Sequence, residues 1–257
     1  MLTRIFGSIG RQILVFCQET GRMSILLVQI LSHAPSVLKN HRLTVDQMMK
    51  IGVLSLPLVT VVSIFTGAVS SWQAAYQFRG LISLDFLGAA VSAAIFIELS
   101  PVLTGLVVAG RVGASIAAEL GTMKVTEQID ALESLAIDPV RYLAVPRFTA
   151  GLITMPILVI YSNIVAHFGA FLVASYLMGV SRSAFFGSVR QYFLIHNVIS
   201  GLVKALFFGG GTALVGCAVG FTTTGGAHGV GQSTIKAFVY SSAFILIADY
   251  ILATFLF

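Results

Sequence analysis

Charge is what this sequence has least of. Lys, Arg, Asp and Glu together make up 10% of its 257 residues, against 57% hydrophobic residues. Ordinary globular chains carry about 25% charged residues. Residues 51–78, 148–181 and 205–235 contain no charged side chain, and 86–110 contains only Glu98. A water-soluble domain has no way to cover that much apolar surface. A bilayer does, at about 20 apolar residues per helical crossing. The expectation is an all-α membrane protein.

Other absences narrow the function. Cys17 and Cys217 are the only cysteines, too few for a disulfide framework, and no HExxH or paired Cys/His spacing offers a metal site. The five histidines are scattered, and His167 reads as a hydrogen-bonded core residue. No Ser/His/Asp set suggests a catalytic triad, so an intramembrane lipid enzyme finds no support. Gly226 to Ser233 has the glycine and serine spacing of a phosphate-binding loop, but Gln232 stands where that loop needs lysine. The spans use most of the chain and leave no separate soluble catalytic domain. The net charge of +5 is no nucleic-acid signal, because the basic residues are dispersed and mostly flank apolar runs.

Five spans are expected, at about 51–72, 86–110, 148–176, 198–221 and 236–257. Arg4, Arg11, Arg22, Lys39, Arg42 and Lys50 precede the first, and Arg79, Arg182 and Arg190 are the few cations of the opposite loops. The positive-inside rule then puts the N-terminus and the 111–147 block in the cytoplasm, and the C-terminus outside. Before residue 48, Ile5, Phe6, Ile9, Ile13 and Phe16 or Cys17 recur at helical spacing among arginines. That pattern reads as an interfacial amphipathic helix, with packing against the bundle as the alternative. The interspersed arginines also argue against a cleavable signal peptide. Small residues (Gly209 to Gly211, Gly216, Gly220, and Gly110 through Ala118) allow close helix contact in lipid and suggest a compact bundle or a dimer seam.

The 111–147 block holds five of the ten acids. Val125, Ile129, Leu132 and Ala136 fall on one helical face, with Glu127, Asp130 and Glu133 on a flank, and Asp138-Pro139 is expected to stop the helix. An acidic flank is poorly suited to anionic lipid headgroups, so it reads as a docking surface for a protein.

Three charged residues lie within spans. At about 1.5 Å per residue, Glu98 is roughly 18 Å, Lys204 roughly 9 Å and Asp249 roughly 12 Å from the outer side. An intramembrane acid costs at least about 2.5–3.5 kcal/mol on insertion scales and therefore faces a cavity or a partner. The three are expected to share one polar region, in which Lys204 meets a lipid phosphate, Asp249 or Glu98. Val69, Trp72, Tyr76, Phe78 and Leu81 supply aromatic and apolar surface near the outer interface, and Leu99 follows Glu98. Trp72 fits an aromatic belt and a pocket wall equally well. Residues 180–196, with Arg182, Arg190, Phe185, Phe186 and Phe193, lie outside, either on the outer leaflet or against a partner.

Glu98-Leu99-Ser100-Pro101, Ala109-Gly110-Arg111-Val112-Gly113, Glu119-Leu120-Gly121-Thr122, Glu127-Gln128-Ile129-Asp130-Ala131-Leu132, Asp138-Pro139, Pro146-Arg147, Lys204, Gly225 to Gly231 and Asp249 together resemble the MlaE/YrbE permease family. These are the membrane subunits of ABC lipid transporters that work with MCE-domain proteins. Ile97 and Ser100 stand where the family pattern usually has arginine and glycine. The resemblance implies a permease domain over 49–257 behind an N-terminal region 1–48, and a homodimer. It also implies two cytoplasmic ATPase subunits that bind ATP and Mg, an MCE-domain periplasmic protein, a small STAS-like cytoplasmic subunit and a phospholipid substrate. Lipid contact would fall to Val69, Trp72, Tyr76, Phe78, Leu81, Glu98, Leu99 and Lys204. ATPase coupling would fall to Glu119, Glu127, Gln128, Asp130, Leu132 and Glu133, with Asp249 structural. The competing reading is an ion-coupled secondary carrier with Glu98 as its proton site.

Overall fold

The computed structural model describes residues 2–33, 35 and 41–257. Among them every regular element is a helix: α1 (Leu2–Ser32), α2 (His41–Ile51), α3 (Leu56–Phe78), α4 (Leu87–Ala94), α5 (Ser100–Val108), α6 (Ala114–Val125), α7 (Gln128–Ser134), α8 (Val145–Met178), α9 (Arg182–Gln191), α10 (Ile195–Phe221) and α11 (Gly226–Leu256). Helix is the expected solution for an apolar chain, since it satisfies every backbone N–H and C=O within the segment. Many hydroxyls do the same, returning a hydrogen bond to the carbonyl four residues back, as at Ser55, Thr60, Thr66 and Ser200.

Among the described residues, five stretches are long and apolar enough to cross a membrane: His41–Phe78, Leu84–Val125, Val140–Met178, Ile195–Phe221 and Gly226–Leu256. Their number agrees with the hydropathy reading, but their lengths do not. Helices continue past the apolar windows into polar sequence, because backbone hydrogen bonding does not stop at the hydrocarbon boundary. The second span therefore runs on through Arg111 and Glu119 to Val125, so 111–147 is not one polar segment. Gly225 to Gly231, expected as a loop, mostly forms the first turns of α11, entered through left-handed Gly225 and Gly226.

The single 125–136 amphipathic helix is also corrected. The chain leaves α6 at Thr126, turns through a left-handed Glu127 (φ 61°), makes only the short α7, and turns again at left-handed Ala136 (φ 56°). Asp138 does more than stop a helix. Its carboxylate accepts the backbone N–H of Val140 at 2.9 Å and so starts the next one.

The second span is α4, α5 and α6 joined by π-helical turns at Ile95–Leu99 and Ala109–Gly113. A third π turn, Val140–Ala144, leads into α8. Such turns hold one extra residue and are frequent at functional sites.

Helix α10 is the central post, with 67% of its most apolar window buried against 11% for α11. Its glycines make that position possible. A Cβ on Gly209 would lie 2.3 Å from the Gly151 carbonyl of α8, and one on Gly211 would strike the Phe244 ring of α11. The small residues thus seal contacts within this chain. Helix α3 lies on α8 through Val59, Ser63, Gly67, Ser71 and Ala75, all buried. Ser63 and Ser162 share a 2.8 Å hydroxyl bond across that seam. His167, in α8, donates from Nδ1 to the Asn163 carbonyl (2.7 Å) and contacts the Ser92 hydroxyl through Nε2 (2.9 Å), as a satisfied core histidine should.

The end of α1 packs on the bundle through buried Leu26 and Ile30, which is the alternative raised for the N-terminal segment. The side chains of Ile5 through Ile13 and Phe16, on which the interfacial reading rested, lie outside the described residues, as does Lys39.

Candidate functional site

Two clusters of three charges organise the bundle. The first lies within the membrane spans. Gly201 lets α10 approach the Phe96 carbonyl in the first π turn. One turn further on, the same face presents Lys204 to Glu98. Helix α11 buries Ile245 beside Gly105 and Phe208, and four residues later presents Asp249. Lys204 donates to Glu98 Oε1 at 2.5 Å, and its ammonium lies 2.9 Å from Asp249 Oδ1, close enough for an ion pair but without hydrogen-bond alignment. Lys204 is fully buried, whereas 40% of the Glu98 side chain and 20% of Asp249 are exposed. Sequence left Lys204 between lipid phosphate, Asp249 and Glu98. In the structure both carboxylates hold it, and Glu98 is the member that faces outward.

The other predicted lipid contacts divide into three places. Trp72, Tyr76 and Phe78 line a cavity of ≈ 310 Å³ with Arg79, Leu177 and Met178. Arg79 stacks its guanidinium over Tyr76, 5.7 Å from the ring centre. Val69 belongs to an exposed apolar stripe on α3, Leu58, Val61, Phe65, Val69, Trp72 and Tyr76, opposite the seam with α8. Leu99 is half-buried in the narrow seam between α3 and α5. Leu81 stands apart at the exposed tip of the loop after α3.

The second cluster lies at the other end of the bundle. Arg147 of α8 is 5% exposed and donates to Glu119 Oε2 of α6 at 2.7 Å and to the Leu143 carbonyl at 2.8 Å. Lys50 of α2 donates to Glu119 Oε1 at 3.0 Å. Arg111, in the second π turn, donates to the Ser55 hydroxyl (2.6 Å) and the Lys50 carbonyl (3.1 Å). These contacts tie α2 and α8 to α6, the helix that leads to α7.

Within the expected coupling set, Glu119 is thus held from both sides. Glu127, Gln128, Asp130 and Glu133 are exposed on α7 and the turn before it, with Asp130 accepting from Lys124 at 2.6 Å. Leu132 is half-buried and turned inward beside Ile129, which joins the main core. The apolar face of α7 is therefore covered by its own chain. What projects is the acidic flank, together with exposed Leu135 and Ile137.

Sequence reading missed Arg147, Lys50, Arg111 and Ser55 as a connected set. Each basic residue borders an apolar window and was assigned to topology. The usable signal was the acid Glu119 inside what proves to be helix, since a partly buried carboxylate needs cationic partners.

The chain matches the family described as Permease MlaE over residues 44–255. It is 40% identical over 260 residues to a probable ABC transporter permease protein of Rickettsia typhi, covering 100% of this chain and 99% of that one. It is 32% identical over 259 residues to the intermembrane phospholipid transport system permease protein MlaE of Haemophilus influenzae, covering 100% and 99%. It is 37% identical over 216 residues to the chloroplastic protein trigalactosyldiacylglycerol 1 of Arabidopsis thaliana, covering 84% of this chain and 62% of that protein.

Proposed function

This chain belongs to the MlaE permease family, and from that membership we propose that it is the membrane subunit of an ABC transporter for phospholipid. In this reading it exchanges phospholipid between the bacterial inner membrane and an MCE-domain protein on the periplasmic side. A separate cytoplasmic subunit binds ATP and Mg and hydrolyses the ATP. Two copies of the chain stand with two such ATPases, the N-terminus cytoplasmic and the C-terminus periplasmic. A small STAS-like subunit is a further candidate partner. The substrate class rests on the name of the Haemophilus influenzae relative.

The observation that carries the reading is one continuous helix from Leu84 to Val125, with α7 joined to its end by the turn at Thr126 and Glu127. From the projecting acidic α7 that turn leads into α6, then through the second π turn and α5 to Glu98 in the first π turn, the exposed acid on buried Lys204. A push on α7 passes through that turn into α6 and then reaches the Glu98 level along helix. Glu119 ties the base of that path to α2 and α8, so movement there is shared by three helices. Apolar side chains from Leu58 to Tyr76 offer a wall for acyl chains, and the cavity at Trp72, Tyr76 and Phe78 offers an outer mouth.

The test is purification from membranes, followed by reconstitution with fluorescent phospholipid. An ATPase should co-purify, and lipid movement should require its ATP. Asp130→Lys/Glu133→Lys should detach the ATPase and cut lipid movement at least about tenfold, the scale of losing one or two charged docking contacts. Lipid movement by the isolated chain under a proton gradient, without nucleotide, would replace this reading with the ion-coupled carrier centred on Glu98.

A further inference from the structure

A cleft of ≈ 510 Å³ opens at the inner end of the bundle, between the end of α2 and the second π turn. Its buried apolar floor is Ile51, Val112 and Ile116, Leu54 stands exposed at its edge, and its rim carries Lys50, Arg111 and Glu119. Arg111 is the informative residue. One of its terminal nitrogens serves both the Ser55 hydroxyl and the Lys50 carbonyl. Among the described residues no carboxylate pairs with it. A guanidinium offers five N–H donors, so one edge of a permanent cation is left facing the cleft with no carboxylate within ion-pair reach among the described residues.

The depth of the cleft limits what can enter it. Arg111 follows Glu98 by thirteen residues, about 20 Å along the helix, and is about 40 Å from Leu84. A bilayer with its headgroups is about 40–45 Å thick. A span that begins at one headgroup layer therefore brings Arg111 to the other. Leu54 is exposed and begins a row that continues through Leu58, Val61 and Phe65 up the open face of α3. Cations at headgroup depth, with an apolar track leading away from them into the membrane, match the two ends of one molecule.

We propose that this cleft binds the phosphodiester headgroup of an inner-leaflet phospholipid, at a site separate from the triad around Lys204. The proposal rests on the reading of the chain as a phospholipid permease. The phosphate takes the free edge of Arg111 and the ammonium of Lys50, and an acyl chain lies along Leu54 and the α3 row. Lys50 divides its donors between phosphate and Glu119, while Arg147 keeps Glu119 in place. Lipid arriving here therefore weakens the tie between α2 and α6.

The test uses the complex as it purifies from cells grown on radioactive phosphate. Leu54 or, in a separate chain, Tyr76 at the outer mouth is replaced by the photo-crosslinking residue p-benzoylphenylalanine. Labelled lipid should attach at both positions. Arg111→Gln should cut the Leu54 label about tenfold, the effect of losing a charge-assisted phosphate contact, and leave the Tyr76 label intact, while Arg111→Lys retains most of it. Where Arg111→Gln fails to accumulate, Lys50→Gln, on an exposed side chain, should lower the Leu54 label severalfold. A Leu54 label that survives both substitutions is bulk lipid and overturns the site. Loss of that label in millimolar inorganic phosphate makes it a free-phosphate site and also overturns it. Label at Tyr76 with none at Leu54 removes this proposal alone, whereas no label at either position removes the phospholipid reading beneath it.

Discussion

The two charge clusters are inverses of each other. Around Lys204, two carboxylates close on one cation. Around Glu119, two cations close on one carboxylate. Their central residues differ as sharply, since Lys204 is fully buried while 40% of the Glu119 side chain is exposed. In a low-dielectric interior the unpaired charge left by removing one partner dominates the energetics. At an interface, water takes over much of that role. Similar arithmetic of charges therefore yields a rigid core element in one place and an adjustable tie in the other.

The largest effect is expected from Lys204→Met, which strands Glu98 and Asp249 together. It should lower stability by about 3–5 kcal/mol, read as a drop in the thermal unfolding midpoint in detergent. Combining it with Glu98→Gln and Asp249→Asn should recover most of that loss, because no charge is then left uncompensated. If Lys204→Met unfolds like the unmodified chain, burial is not what sets the two clusters apart.

Arg147→Met comes next, at about 1.5–3 kcal/mol, the range for hydrogen bonds to charged groups. Glu119 keeps Lys50 and access to water, so the loss should stay below that of Lys204→Met in the same assay. A larger loss would mean that the inner cluster is the true core. Lys50→Gln, an exposed pair, should cost at most about 1 kcal/mol. The smallest expected signal is in salt. Near 1 M, where the screening length is about 3 Å, the difference between Lys50→Gln and the unmodified chain should vanish, while the deficit of Lys204→Met should persist. If salt erases both, the triad is open to solvent and the contrast fails.

Much of the architecture was legible in the sequence because lipid imposes a simple rule, and five uncharged or nearly uncharged windows became five spanning helices. Their ends were not legible. Residues 111–125 and 225–235 look like loop by hydropathy but continue helices whose backbone bonds do not depend on the solvent. The breaks at Glu127 and Ala136 were equally hidden, since neither residue type favours a left-handed backbone. Periodicity drew one helix through both. Glu98, Lys204 and Asp249 were recognisable singly, because charge in an apolar window is conspicuous. Arg147 and Lys50 were not, because a cation at the edge of a span looks the same whether it faces lipid headgroups or a carboxylate on another helix. The glycines announced close contact without naming their neighbours. Gly209 meets Gly151 across 58 positions of chain, a separation no local pattern encodes.

Glu98 and Arg111, the charged residues at the two π turns of the second span, each sit in a turn that carries a surplus residue. Letting one such turn relax to ordinary winding shifts the downstream rod by about 1.5 Å and rotates it by roughly 100°. The rod thus stores slack at the very heights where its charges are held, like a cable with a spare coil beside each clamp. One end can be twisted against the other as the N–H groups of that turn exchange one carbonyl of their own segment for another.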